Sequence, residues 1–470
     1  MNNQIHKSKS KALLAGTLVY AIGTFGTKVI SFLIVPLYTY YIAPAELGDY
    51  DLIITTVNLL TPFITMQISD GAYAWMIKNI DKSKDYITAV YKFIICCTIL
   101  GAGIILGINE FVKINYAYYF VVILITGRWM QSLQKLLRGL KNQKLFAASG
   151  LLYTICFLLL NLLQVVVLKQ GVHALFQSMI IANIITIFVI LAAEKRLRQI
   201  DFKDKSFPLQ KEMLKFSIPL VPNRLNWWII NSSDRYIISY FLGSTANGIY
   251  AVAYKFPGLL KIVFDIFYES WQDNTIGDKD EDEGKFYSTV FRYYYRFAFT
   301  LLLFVIPFTK VFIDLVMSEA YREASIYISF LYLGTVFQAF SSFLGVGCIK
   351  NNKTIQAATT SIYGAVVNGV ISLLFIKIIG LHAASVSTFV GFFVMYVVRA
   401  WQTRNTLKIK VEWKWFVLLF MMSLMMTIIT IFTNFKMDVI LFLCGVLLFA
   451  LINAKDMRFM FVKVLKKVRH

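Results

Sequence analysis

Long apolar stretches broken by short polar clusters run the length of this chain, with no sustained alternation of apolar and polar positions. Continuous apolarity over about 20 residues suits helices that cross a bilayer's hydrocarbon core, and the missing period-two alternation argues against a strand barrel. Fourteen such runs stand out, at residues 13–41, 47–76, 86–108, 115–137, 145–168, 172–193, 213–242, 246–274, 288–312, 324–348, 354–379, 381–402, 413–433 and 437–454. The predicted fold class is all-α: a polytopic membrane protein of about 14 transmembrane helices. The first run is too long for a signal peptide and reads as a retained helix.

One pattern recurs 200 residues later. Tyr40-Tyr41-Ile42 leads through an uncharged turn to Gly48-Asp49-Tyr50, and Tyr240-Phe241-Leu242 leads through an equally long turn to Gly248-Ile249-Tyr250. The pairs Tyr40/Tyr240, Ile42/Leu242, Gly48/Gly248 and Tyr50/Tyr250 keep one offset without a gap, although two apolar hairpin turns can also match by chance. Repeated helix bundles are a common construction of membrane transporters. The polar stretch 194–210 separates helices 1–6 from 7–12, an even count that makes the repeats parallel. The expected organisation is a six-helix lobe over 1–205, a second over 206–405, and an additional helix pair with a basic tail over 406–470. That last pair has no repeat partner and is expected at the periphery of the lobes.

Composition narrows the class. A mean hydropathy of +0.64 with 58% hydrophobic and 16% charged residues excludes an ordinary soluble globule. The net charge of +21 would suit nucleic acid, but its placement does not. With the N-terminus inside, 29 cations fall in inside segments and six in outside segments. This bias places both termini in the cytoplasm. The five cysteines lack metal-ligand or redox spacing and the four histidines are scattered, so no metal or other cofactor is expected. Prolines 36, 62, 219, 222, 257 and 307 fall within the runs, as kinks or as packing features.

Charges inside the runs are the candidate chemistry, because an ionisable group at mid-bilayer costs at least about 2.5–3.5 kcal/mol and usually faces a cavity. Lys28 shares a helical face with Thr17, Thr24 and Ser31. Arg128 is followed on nearly the same side by Gln131 and Lys135, the latter close enough to the inner boundary to reach water. Arg224, Asn231 and Arg235 share a face of helix 7, while Asp51, Thr55, Asn58, Thr65 and Ser69 run along helix 2. Asp234 and Arg235 are adjacent and expected to point apart, with Arg235 approaching the outer surface or lining a cavity. Helix 8 carries Lys255, then Lys261, Asp265 and Glu269, which read either as an intrahelical ion ladder or as carriers of a coupling ion. Lys28, Arg128, Arg224, Arg235 and Lys255 are the candidate substrate-binding cations; convergence of the first three on one water-filled cavity would suit an anionic passenger.

The stretches Lys28-Val-Ile-Ser-Phe-Leu-Ile-Val-Pro-Leu-Tyr-Thr-Tyr-Tyr-Ile42, Leu47-Gly-Asp-Tyr-Asp-Leu52, Asp234-Arg-Tyr-Ile-Ile-Ser-Tyr-Phe-Leu-Gly243 and Gly248-Ile-Tyr-Ala-Val-Ala-Tyr254 resemble the polysaccharide-biosynthesis flippases. These are the O-antigen (Wzx-type) and lipid-linked oligosaccharide translocases of the multidrug/oligosaccharidyl-lipid/polysaccharide exporter superfamily. The resemblance implies two six-helix lobes around a central cavity that opens alternately to either side. It implies as passenger a polyprenyl-diphosphate-linked oligosaccharide, carried from the inner to the outer leaflet for cell-surface polysaccharide synthesis. Expected partners are that lipid-linked glycan, membrane lipids, and the polysaccharide polymerase and chain-length machinery. Coupling to a proton or sodium gradient, or to membrane potential, is expected. Many members have twelve helices, so fourteen departs from the pattern. A multidrug/cation antiporter of the same superfamily is the alternative, disfavoured by the cations. A membrane glycosyltransferase or polymerase is a weaker one, since the outside loops carry few acids or bases, and the chain is therefore not expected to be an enzyme.

Overall fold

The computed structural model describes residues 32–201, 207–277, 283–350 and 354–468. Within them every regular element is helical. The elements are α1 (Val35–Tyr41), α2 (Pro44–Thr65), α3 (Ile68–Lys78), α4 (Ser83–Val112), α5 (Ala117–Gly139), α6 (Gln143–Asn161) and α7 (Val172–Ala193). They continue with α8 (Phe207–Ser217), α9 (Leu220–Ser232), α10 (Asp234–Gly277), α11 (Glu283–Val316), α12 (Ala324–Lys350), α13 (Thr354–Ile379), α14 (Leu381–Leu407), α15 (Trp413–Phe432) and α16 (Phe435–Val468).

Nine helices among the described residues are long and apolar enough to cross a membrane, or ten if the bent pair α2–α3 is one span. The expected fourteen is therefore not reached there, for three physical reasons. Most of run 13–41 lies outside the described residues. Run 115–137 is helical as α5, but Arg128, Lys135 and Arg138 make it too polar to qualify. Runs 213–242 and 246–274 are recut into α8, α9 and α10, which break at Pro219, at Ser233 and at Gly243.

The chain divides into two compact units, residues 1–228 and 229–470. In the first, α2 opens with Pro44 at its first position, where no backbone donor is needed, and places Glu46 in its first turn. It ends at Met66 and Gln67, two successive non-glycine residues in the left-handed region (φ 45° and 53°). The axis turns 56° there before α3 begins. The bend therefore lies four residues beyond Pro62. Backbone freed inside a membrane must find partners. The Ser217 hydroxyl donates to the Met66 carbonyl at 2.7 Å, and Thr65 Oγ1 accepts from the Gln67 N–H at 3.3 Å. Gly71 admits α8 beside this bend, since a Cβ there would lie 2.8 Å from the Met213 carbonyl oxygen. Around it, Ile68, Ala72, Ile87, Val90, Leu133, Leu136 and Met213 form a fully buried core between α3, α4, α5 and α8.

The second unit is organised around α12, 89% of whose most apolar window is buried. Its core is aromatic: Phe291, Phe299, Phe337, Phe340, Tyr396 and Phe416 meet ring to ring across α11, α12, α14 and α15. Edge-to-face pairs of this kind contribute about 0.5–1.5 kcal/mol each beyond burial. Helices α15 and α16 pack on α11. Ser423 donates to the Phe299 carbonyl at 3.1 Å, and Asn453 donates to Thr300 Oγ1 at 2.9 Å. Near the other end of α11, Lys310 lies 3.1 Å from the fully buried Asp438 and also donates to the Thr430 and Thr433 carbonyls. By contrast, α13 exposes Val366, Leu373, Leu374 and Ile378 as a face suited to lipid.

The helical path breaks within each of the two similar stretches, at positions 43 and 243. Ala43 is extended (φ −68°, ψ 148°) between α1 and α2, and Gly243 (φ 85°, ψ 175°) interrupts α10. A second correspondence was not used in reading the sequence. Gly171-Val-His173-Ala174 starts α7 and Gly380-Leu-His382-Ala383 starts α14, with the glycines at φ 58°, ψ −141° and φ 58°, ψ −138°. That region is essentially confined to glycine.

Candidate functional site

The first unit contains a polar cavity of about 230 Å³. One wall is α5, whose residues 128, 131, 132 and 135 follow at i, i+3, i+4 and i+7 and so share a face. The opposite wall is the α2–α3 break, contributing Thr61, Thr65, Gln67, Ser69 and Asp70, and α9 adds Arg224. The start of α3 thus lines the cavity through Ser69 and Asp70.

Charge is unevenly matched in this space. Lys135 donates to Asp70 Oδ1, an ion pair between α5 and α3 that leaves both side chains partly accessible. Lys135 therefore has a carboxylate partner and does not simply reach water at the membrane boundary. Arg128 is only 3% exposed, and its Nη1 donates to Gln131 Oε1 at 2.9 Å. Its Nε has no partner among the described residues, nor does the buried hydroxyl of Ser69. Arg224 is exposed on the cavity. Three cations and one carboxylate leave the described lining at +2. A buried guanidinium without a carboxylate calls for water or an anion beside it.

The remaining sequence candidates sit elsewhere. Lys28 lies outside the described residues, as does the side chain of Glu269. Arg235 belongs to the second unit, 6% exposed. Its Nη1 bonds Asp234 Oδ1 at 2.9 Å and the Asn231 carbonyl at 3.1 Å, and its guanidinium lies 4.2 Å from the Tyr254 ring centre. The expectation that Asp234 and Arg235 point apart is thus wrong. Asp234 is the first residue of α10, where its carboxylate is free to fold over the helix start, and the Tyr250 hydroxyl fixes its other oxygen at 2.6 Å. Lys255 is exposed on α10. Asp265 pairs with Lys261 at 2.8 Å in the i, i+4 arrangement, beside a narrow polar cleft with Tyr268 and Gln338.

Three features escaped the sequence reading. Asp70 was missed because a continuous helix through 47–76 would turn it about 100° away from Ser69, off the polar stripe. Arg399, 4% exposed, donates to Thr360, Ser361 and the Ser341 carbonyl, joining α12, α13 and α14. Its signal was available: an arginine inside an apolar run. Glu412, just before α15, is held by Arg292 at 2.8 Å and Arg296 at 3.1 Å, and the Arg292 bond keeps its carboxyl below the usual range. At the end of α7, the Arg196 guanidinium, helped by Asn142, pushes the Glu194 carboxyl down to about 2.

Comparison with known proteins places these features in a family. An uncharacterized membrane protein of Methanocaldococcus jannaschii is 24% identical over 274 residues, 53% of this chain and 53% of that protein. The aligned part thus spans about half the length of that curated relative. Among solved structures, the lipid II flippase MurJ in an inward closed conformation matches with a TM-score of 0.74 at 14% identity, covering 94% of this chain and all of that one. An inward-facing multidrug resistance MATE family transporter of the MOP superfamily matches with a TM-score of 0.63 at 14% identity, covering 81% and 94%. At these identities the likeness shows a shared polytopic helical fold. The family model for polysaccharide biosynthesis proteins covers residues 13–268, more than half of the sequence, so the chain belongs to the polysaccharide biosynthesis protein family.

Proposed function

We propose that this protein is a flippase, carrying a polyprenyl-diphosphate-linked oligosaccharide from the inner to the outer leaflet of a bacterial cytoplasmic membrane by alternating access. The observation that carries the reading is the +2 cavity around the buried, partly unpartnered guanidinium of Arg128. A diphosphate diester carries two ionised oxygens, so its charge matches that lining. Arg128 and Arg224 supply planar donor forks, beside the Lys135–Asp70 ion pair. Lys28 is assigned to the same task from its sequence position.

Lys135 opposes the antiporter alternative, because it neutralises Asp70, the carboxylate among the described lining residues. Similarity to a lipid II flippase fits a lipid-linked glycan passenger, and the family description fits delivery to surface-polysaccharide assembly. An inside-negative potential favours anion exit by about 2.3 kcal/mol per charge per 100 mV. Asp265 is the described candidate for any coupled proton or sodium ion.

The test is transport of labelled lipid-linked saccharide in vesicles reconstituted with the full chain. Arg224→Ala is expected to abolish flipping without loss of folded protein, because Arg224 is exposed and has no partner among the described residues. Arg224→Lys is expected to retain part of the rate, since charge survives and the fork is lost. A wild-type rate for Arg224→Ala refutes the proposal.

A further inference from the structure

Beside the cationic cavity, within the same unit, lies a second cavity of about 400 Å³ that shares Asn58, Arg128 and Gln131 with it. Its other polar lining includes Gln134 from α5, Tyr153 from α6 and Asn183 from α7. The volume falls within the range of about 300–1,000 Å³ for small-molecule sites. Carboxylates are absent from its described lining, and Arg128, on the shared wall, is the cation there.

The hydrogen-bonding groups left over are neutral and of both kinds. Gln131 gives its carbonyl to Arg128, which leaves its amide N–H groups. Gln134 donates to Ser149 at 3.3 Å and Asn183 donates to Thr126 at 3.3 Å, which leaves both carbonyl oxygens. The Asn58 amide and the Tyr153 hydroxyl have no hydrogen-bond partner among the described residues. A hydroxyl both donates and accepts, so a polyol satisfies donors and acceptors together. A phosphate or carboxylate only accepts and would face the carbonyls of Gln134 and Asn183 without a proton between them. An isoprenoid chain would leave every one of these groups unmatched, at a cost of about 1–3 kcal/mol each. The Tyr153 ring, stacked 6.0 Å from Phe157, and the side chains of Ile54 and Met179 suit the apolar face of a pyranose.

We infer that this cavity is a sugar subsite, which takes the residue attached directly to the diphosphate and selects an uncharged pyranose. The inference rests on the lipid-linked saccharide reading above. Arg128, on the wall between the two cavities, would then touch the junction of diphosphate and sugar.

The experiment measures affinities of the detergent-purified full chain for short-chain isoprenyl diphosphates. One carries no sugar, one glucose, one N-acetylglucosamine and one glucuronic acid. Wild type is expected to bind the two neutral glycosides more tightly than the sugar-free compound, and the glucuronide no more tightly than the sugar-free one. Tyr153→Phe, which removes an unpartnered hydroxyl without changing shape, and Gln134→Leu are each expected to weaken the neutral glycosides about three- to tenfold. Both variants should leave the sugar-free diphosphate unchanged, whereas Arg224→Ala should weaken all ligands alike. Equal wild-type affinity with and without a neutral sugar overturns the subsite, as does a loss in Tyr153→Phe and Gln134→Leu shared by every ligand. Tightest binding of the glucuronide overturns the selectivity for an uncharged ring. Failure of wild type to bind any of the diphosphates overturns the flippase reading and the subsite together.

Discussion

Asp438→Ala removes the counter-charge from the clamp that holds α16 to α11. Lys310 is 11% exposed, pairs with Asp438 at 3.1 Å and donates to the carbonyls of Thr430 and Thr433. With Asp438 truncated the two carbonyls remain, but the buried positive charge keeps only Asp314, one turn along α11, as a nearby anion. Breaking a buried pair from one side costs about 3–5 kcal/mol. For a unit of this size each kcal/mol lowers the melting temperature by about 2–4 °C, so a fall of about 6–20 °C is expected. Lys310→Met, which strands the fully buried carboxylate, should cost a similar amount. The double variant Lys310→Met/Asp438→Leu should return to within about 1 kcal/mol of wild type, because replacing both charges by apolar groups removes the desolvation cost along with the attraction. The assay is the fraction of monodisperse protein surviving a temperature series in detergent. Additive losses in the double variant, or a fall below about 2 °C for Asp438→Ala, would show that the pair does not fasten the last two helices.

Other outcomes follow from single features. Glu194 titrates far lower in the folded chain than its ordinary value of 4.5, so its stabilisation is complete above that value and is lost as pH falls toward about 2. Because the side chain of Arg196 is 42% exposed, the effect is discounted to about 1–2 kcal/mol, and Glu194→Gln should flatten thermostability across that pH window. Tyr250→Phe strands one oxygen of the buried Asp234 and should cost about 1–3 kcal/mol, read from the same melting series. Gly71→Val should push α8 away from α3 and lower the yield of folded protein, while the exposed Lys255→Ala serves as a control without effect on stability.

The bilayer makes the helical layout legible: runs of twenty apolar residues have few other uses, and α4, α6, α7 and α11–α16 fall close to the expected segments. Arg128, Gln131 and Lys135 were readable as one face because α5 is an unbroken helix. The α2–α3 bend was not readable, because Met66 and Gln67 carry ordinary side chains in a backbone region that sequence rarely advertises. With the bend hidden, Asp70 was left out of the polar stripe and Lys135 was left without its partner. Tertiary pairing explains the other misses. Nothing local tells Arg399 that two hydroxyls of α13 and a backbone carbonyl of α12 will surround it, or Glu412 that two arginines 116 and 120 residues away will meet it.

Helix α12 bears on how the chain enters the membrane during synthesis. Its mean hydropathy of 1.4 is the lowest among the nine qualifying helices, and Ser325, Ser329, Thr335, Gln338 and Ser341 are all sheltered inside the fold. When α12 leaves the ribosome, α13 and α14, two of the helices that cover it, have not yet been made. A segment this polar partitions weakly into lipid on its own. As the least apolar and most buried of the nine, α12 therefore gains least from lipid alone and depends most on the helices that cover it.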